Sequence, residues 1–244
     1  IANNILILFR FMENVMIENP PVLIMKKKFD RPLKFQVDSF LNFQTGHIAD
    51  AMNGRGALDG FIKPLNNKFS KFSGVALTCY CGPADNLAAI AAIRIAKEGD
   101  VIIAATDEYK TTAVMGDLML GIGKNRGITA FITDGFVRDI EGINKLALPC
   151  FCSGVIPNSP ARNGPGNIGL PVVCGGVNIN SGDIIVGDSN GVVIVPYECI
   201  NNVLEKLETV MSLEKETEEK VNEGIQTLDF IEDIFNNGSI KEID

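Results

Sequence analysis

Apolar positions along this chain change their spacing several times, and each change predicts an element. From Gln36 to Met52 they recur at helical intervals, at Val37, Phe40, Leu41, Ile48, Ala51 and Met52. A glycine-rich connection, NGRGALDGFIKPL, follows. The run GVALTCYC (74–81) predicts a strand. Pro83 to Asn86 then opens an alanine-rich helix, with Asp85 as its cap or first-turn acid. Gly99-Asp100 turns the chain into the strand VIIAAT. A helix over 112–125, the strand ITAFIT after Gly127, a third helix over about 138–146 and the strand CFCSGVI after Pro149 complete this half.

Beyond that point the texture changes. NSPARNGPGNIGLP reads as a long loop, and the strands VVCGGVNI, DIIVGD and GVVIVP follow with no helix between them. Asn190-Gly191 between the last two is a strong hairpin signal. An alternating half, an all-strand half and a helical tail predict a mixed α/β layered sandwich. The expected organisation is an appendage over 1–33, a single domain over 34–200 and a helical tail over 201–244, with no internal repeat.

Composition narrows the picture. Of 244 residues 46% are hydrophobic and 21% charged, which suits one large core. Thirty acids against 22 bases give a net charge of -8, which argues against direct nucleic-acid binding, since that rests on Lys and Arg neutralising phosphates. The run Ile5 to Phe11 is too short to span a bilayer and lacks the flanks of a signal peptide. The expectation is a cytoplasmic protein without a membrane partner. Six cysteines sit mostly in apolar runs and read as strand filler in a reducing compartment; the two Cys-x-Cys pairs are too tightly spaced for an ordinary zinc site.

Candidate chemistry gathers around VMGDLMLGIGKNRG and TDGFVRDIEG. Gly116 and Asp117 stand at a predicted helix start, whose free amides can cradle a carboxylate or phosphate. Twenty residues separate Asp117 from Arg138, and Asp139 is next. One helix and one strand fill that gap, so both ends can meet at one sheet edge, where ligands bind. Two acids can hold Mg²⁺ with waters retained, and Arg offers planar donors to a carboxylate or enolate oxygen. Spacing alone leaves both a metal-assisted site and an ordinary helix-start ion pair standing. One histidine and no Gly-x-Ser-x-Gly give a hydrolase triad little support, and no P-loop or Gly-x-Gly-x-x-Gly is present.

From about Gln44 to Pro196 the chain resembles the family of regulator of ribonuclease activity A and the class II 4-hydroxy-4-methyl-2-oxoglutarate / 4-carboxy-4-hydroxy-2-oxoadipate aldolases. The resembling pieces are GPADNLA, GDLM, TDGFVRDI, NGPGNIGLPVVCGGVNINSGD and GDSNGVVIVP. The aldolase signature of Asp, twenty residues and Arg-Asp is met by Asp117, Arg138 and Asp139. The resemblance implies a three-layer β/β/α sandwich, swivelling-domain-like, assembled as a trimer or hexamer with active sites between subunits. It implies that Asp139 ligates Mg²⁺ or Mn²⁺ and that Arg138 holds the 2-oxo group and the pyruvate enolate. Asp117 would orient metal-bound water, and beside Gly116 the amides of Leu118 and Met119 would receive the pyruvate carboxylate. The implied activity is cleavage of a 4-hydroxy-2-oxo diacid to pyruvate, with oxaloacetate decarboxylation as a side activity. The alternative is a non-catalytic ring that binds a ribonuclease or helicase. A methyltransferase label attached to relatives finds no nucleotide-binding loop here.

The resemblance also implies a glutamate from the C-terminal helix of a neighbouring subunit. Glu214 falls on the stripe Val203, Leu207, Val210, Val221, whereas Glu216 lies about 200° further round. Glu214 is therefore the expected tail acid, in a tail that packs on the neighbour. His47 reads as a packing or surface residue. Asp134 serves the turn with Gly135 and is close enough in sequence to orient Arg138; Asp183 and Asp188 read as turn acids. Loop 163–169 could approach a ligand closely, or be glycine-rich for conformational reasons alone. Where relatives carry small residues, this chain has TDEYKTTAV (106–114), and Asp107, Glu108, Tyr109 and Lys110 are expected to crowd or recharge the pocket rim.

Overall fold

The computed structural model describes residues 21–243, so the apolar run Ile5–Phe11 lies outside the described residues. The strands are β1 (Leu23–Met25), β2 (Lys63–Pro64), β3 (Phe72–Tyr80), β4 (Asp100–Ala105), β5 (Ala113–Met115), β6 (Ala130–Thr133) and β7 (Phe136–Val137). They continue as β8 (Cys150–Cys152), β9 (Gly154–Val155), β10 (Gly166–Ile168), β11 (Val172–Cys174), β12 (Val177–Ile179), β13 (Ile184–Gly187) and β14 (Val192–Val195). The helices are α1 (Lys34–Ser39), α2 (Thr45–Ala51), α3 (Leu87–Ile95), α4 (Asp117–Asn125), α5 (Ile140–Leu146), α6 (Ile200–Asn222) and α7 (Asp229–Asn236).

The main sheet runs β1-β10-β3-β4-β6-β8-β2, with the β13–β14 hairpin attached to β3. Strands β3, β4, β6 and β8 are parallel, with Val75 opposite Asp100, Val101 opposite Ala130 and Phe131 opposite Cys150. Their sequences are continuous apolar runs because both faces are covered. Leu77, Cys79, Ile102, Ala104 and Phe131 pack against α3, α4 and α5. The alternate residues Ala76, Val101, Ile103, Ala130 and Ile132 meet the β11–β12 hairpin through Val172, Cys174 and Ile179. This is the expected β/β/α layering. A third cluster sets Ile48 and Ala51 of α2 and Val203 and Leu207 of α6 against Ile184, Val193 and Val195. Among the described residues no helix is long and apolar enough to cross a membrane.

Three expectations are corrected. The helix read across 36–52 is two pieces, since Phe43 and Gln44 are extended. The Asp188 carboxylate takes the Thr45 amide and hydroxyl, both at 2.8 Å, and starts α2 afresh. Helix 112–125 begins only at Asp117, because Ala113–Met115 pairs with Phe136–Val137 in a small parallel sheet, β5-β7-β9. The appendage boundary at 33 also fails for its described part. Leu23–Met25 pairs with Gly166–Ile168, and Arg31 forms an ion pair with the buried Asp100.

A candidate active site where two helices begin

The small sheet delivers the Arg-Asp doublet. β7 lies beside β5, and the Arg138 amide donates to the Met115 carbonyl at 3.0 Å. Asp139 is then left-handed, with φ 63 and ψ 46, and serves as the N-cap position of α5. Asp tolerates this region better than most residues, since its short polar side chain fits it. The reversal brings Arg138 Nε to 3.2 Å from Asp139 Oδ2. Arg138 Nη1 also donates to Ser159 Oγ, so the guanidinium is fixed from two sides.

The opposite wall is the start of α4. A Cβ at Gly116 would stand 2.5 Å from Asp139 Oδ2 and 3.2 Å from Arg138 Cγ and Nε, so only glycine lets the doublet come this close. Asp117 opens the helix, and its Oδ1 accepts the Leu118 amide at 2.6 Å. The Leu118 amide, expected to receive a substrate carboxylate, is thus held by the neighbouring side chain. Gly142 of α5 is required in the same way, since a Cβ there would meet Asp117 Oδ2 at 2.0 Å. Two helix starts therefore interlock through two glycines and two carboxylates.

Between them lies a cleft of about 90 Å³, bordered by Gly116, Asp117, Leu118, Met119, Arg138 and Asp139. Six of the seven expected site residues are brought together. The seventh, Glu214, does not border this chain's own cleft; it pairs with His47, linking α6 to α2. Glu216 is fully solvated and paired with Lys220 at 2.8 Å, whose ammonium lowers its pKa. His47 is a packing residue, as expected, with an ion-pair partner added.

Two further expectations change. Asp134 makes no hydrogen bond to Arg138; it is buried and accepts the Thr106 amide and hydroxyl at 2.7 and 2.8 Å. Burial raises its pKa, against the lowering effect of these bonds. Residues 107–110 do not border the cleft. Asp107 and Glu108 are both left-handed, and Asp107 accepts the Tyr80 hydroxyl at 2.7 Å. That carboxylate pushes the Tyr80 pKa up to about 12.

The sequence reading missed Asn86, Ser159 and Arg162, which also border the cleft. Asn86 is buried, its Nδ2 donates to the Val114 carbonyl at 2.9 Å, and its Oδ1 has no partner. An unpartnered buried acceptor on a residue that borders a polar cleft is a place where a donor from a ligand would be favourable. GPADNLA carried a signal for it, a polar Asn immediately before an apolar helix. Ser159 and Arg162 lie in a loop whose sequence gave no contact partner.

The donor set suits a hard cation held with retained waters. Among the described residues no three His, Cys, Asp or Glu side chains converge to enclose a metal, so the oxygens of Asp139 and Asp117 are what the cleft offers. Mg²⁺ and Mn²⁺ accept one or two carboxylates and keep their remaining waters. Gly116 leaves free the space that Asp139 Oδ2 needs to reach the cleft.

A family profile described as RraA-like, Aldolase/RraA, matches residues 45–194. The chain belongs to the RraA-like family. A Halalkalibacterium halodurans protein named "Putative 4-hydroxy-4-methyl-2-oxoglutarate aldolase" is 36% identical over 192 residues, 79% of this chain and 91% of that one. A crystal structure of an uncharacterized protein from Pseudomonas syringae matches this chain with a TM-score of 0.71 at 23% identity, covering 81% of this chain and 97% of its own. Another, from Streptomyces coelicolor and described as an unusual member of the RNase ES inhibitor RraA protein family, matches with a TM-score of 0.70 at 23% identity. It covers 78% of this chain and 100% of its own. At such identities these two structures speak for the RraA-like fold.

Proposed function

We propose that the chain is a divalent-metal-dependent class II aldolase that cleaves a 4-hydroxy-2-oxo diacid of the 4-hydroxy-4-methyl-2-oxoglutarate type to pyruvate. One observation carries the reading: Gly116, Asp117, Arg138 and Asp139 share a single cleft although twenty residues separate the first pair from the second. A cation held by Asp139 would supply Lewis-acid polarisation of the 2-oxo group.

This chain's residues do the rest. Arg138, fixed by Asp139 and Ser159, presents donors to the 2-oxo oxygen and stabilises the negative charge that gathers there. The C3–C4 bond breaks, and its electron pair passes to C3 and, by conjugation, to that oxygen. The 4-hydroxyl loses its proton and becomes the carbonyl of the second product. Asp117 handles that proton through a water, and C3 takes up a proton to complete pyruvate. The Met119 amide receives the substrate carboxylate, joined by the Leu118 amide once Asp117 Oδ1 releases it. Oxaloacetate loses CO₂ through the same enolate, so decarboxylation is the expected side activity. In this reading Glu214 reaches the cleft of a neighbouring copy in a trimer or hexamer.

Pyruvate release from 4-hydroxy-4-methyl-2-oxoglutarate, followed through lactate dehydrogenase with and without a chelator, tests the proposal. Turnover that needs added Mg²⁺ or Mn²⁺ supports it. Absence of turnover on any 2-oxo acid, with specific capture of a ribonuclease or helicase, would replace it with the regulator reading.

A further inference from the structure

The loop between β9 and β10 brings a second guanidinium, Arg162, to the cleft that holds Arg138. The two are engaged differently. Arg138 is committed to Asp139 and Ser159, whereas Arg162 has no hydrogen-bond or ion-pair partner among the described residues and is exposed at the mouth. A surface arginine on a free loop would mean little, but this loop is fastened on both sides of Arg162. The Ala161 amide donates to the Ala84 carbonyl at 2.7 Å, and the Asn86 amide donates to the Ala161 carbonyl at 3.1 Å. The buried carboxylate of Asp85 accepts the Asn163 and Gly164 amides at 2.6 and 3.1 Å through Oδ2, and the Leu87 amide at 2.8 Å through Oδ1. One acid therefore ties the loop to the start of α3, beside Asn86 with its unpartnered Oδ1.

Charge points to the ligand. Within this chain the carboxylates of Asp117 and Asp139 are offset by the guanidinium groups of Arg138 and Arg162, so a bound divalent cation leaves the cleft attractive to anions. Arg138 is engaged by Asp139 and Ser159, which leaves Arg162 as the guanidinium open to a carboxylate beyond the one at the α4 amides. Arg suits the second carboxylate because its planar donors match two oxygens at once. We infer that Arg162 is the specificity residue that selects substrates with a second carboxylate, binding the one distal to the 2-oxo acid group. The inference rests on the aldolase reading above and adds the side chain that separates a diacid from a monoacid.

The test is a binding comparison by titration calorimetry in the presence of Mg²⁺. The probes are 2-oxoglutarate and 2-oxopentanoate, which share a five-carbon 2-oxo acid chain and differ in the distal carboxylate. Wild-type protein should bind 2-oxoglutarate on the order of ten-fold more tightly. Arg162→Met should bring that ratio to about one by weakening 2-oxoglutarate alone, and Arg162→Lys should restore part of it. A preference that survives in Arg162→Met, parallel weakening of both ligands, or a wild type that binds neither or prefers neither would overturn the assignment. The two readings separate cleanly. A protein with the expected preference that releases no pyruvate loses the cleavage reading and keeps Arg162 as the carboxylate selector. One that releases pyruvate with no such preference loses only the selector.

Discussion

Arg138 and Asp139 are consecutive in the chain, yet Nε of one lies 3.2 Å from Oδ2 of the other. The left-handed backbone at Asp139 makes this possible, by turning the chain from β7 into α5 within one residue. A surface ion pair of this kind contributes only about 0–1 kcal/mol. Its consequence lies in placement, because it fixes a guanidinium and a carboxylate on one side of a cleft.

Replacing Asp139 by Asn tests that placement directly. Asn also tolerates the left-handed region, so stability should stay within about 0.5 kcal/mol of the parent in a urea melt. Pyruvate release should fall to background, because a neutral amide is a poor ligand for a hard cation. An unchanged rate would remove Asp139 as the metal ligand.

Gly116→Ala tests the opposite wall. Gly116 is extended, so alanine meets no backbone strain there. Its methyl would nevertheless press on Asp139 Oδ2 and Arg138. Displacement of this order should lower kcat/KM by about 10²-fold. The thermal midpoint should move little. A variant with full activity would show that the doublet need not stand where it does.

Asp183 supplies a pH prediction away from the cleft. It is buried and accepts the Asn180 and Tyr197 amides at 2.8 and 3.0 Å, and burial raises its pKa. Between the unfolded value of 3.8 and the raised folded value, the folded chain keeps a proton that the unfolded chain has released. Stability conferred by this group therefore falls as pH rises through that window and is level above it. The stability difference between wild type and Asp183→Asn, from urea melts run from acid to neutral pH, should shrink with rising pH and then flatten. A difference that grows with pH would contradict the burial argument.

The His47–Glu214 contact gives a fourth. Glu214 is 52% exposed, so a double-mutant cycle with His47→Ala and Glu214→Gln should return a coupling of only about 0.5 kcal/mol. If Glu214 also serves a neighbouring copy, Glu214→Gln should reduce turnover far more than that stability change explains. Equal small effects of both single variants on turnover would confine Glu214 to the α2–α6 contact.

Much of this was readable beforehand because the relevant signals are local. Apolar runs set β3, β4 and β6, Asn190-Gly191 set the β13–β14 hairpin, and the Asp117, Arg138, Asp139 spacing set the core of the site. The errors share a cause. Thr45 begins a helix because Asp188, more than a hundred residues away, captures its amide. Residues 113–115 form a strand because β7 offers them a partner. Asp134 turns from Arg138 because Thr106 presents two donors to it. None of these partners is visible from within the segment concerned.

The sequence by itself determined the layered α/β class and the residue types that open α4 and α5, since periodicity and spacing are properties of neighbouring positions, and its motifs carried the resemblance to the family. Tertiary structure alone decided that Leu23–Met25 enters the sheet, that residues 107–110 stand away from the cleft, and that Asn86 and Arg162 border it. Those outcomes depend on which distant backbone amide or carboxylate satisfies a given group. Only the closed chain settles that, because buried polar groups must find partners wherever the fold brings them.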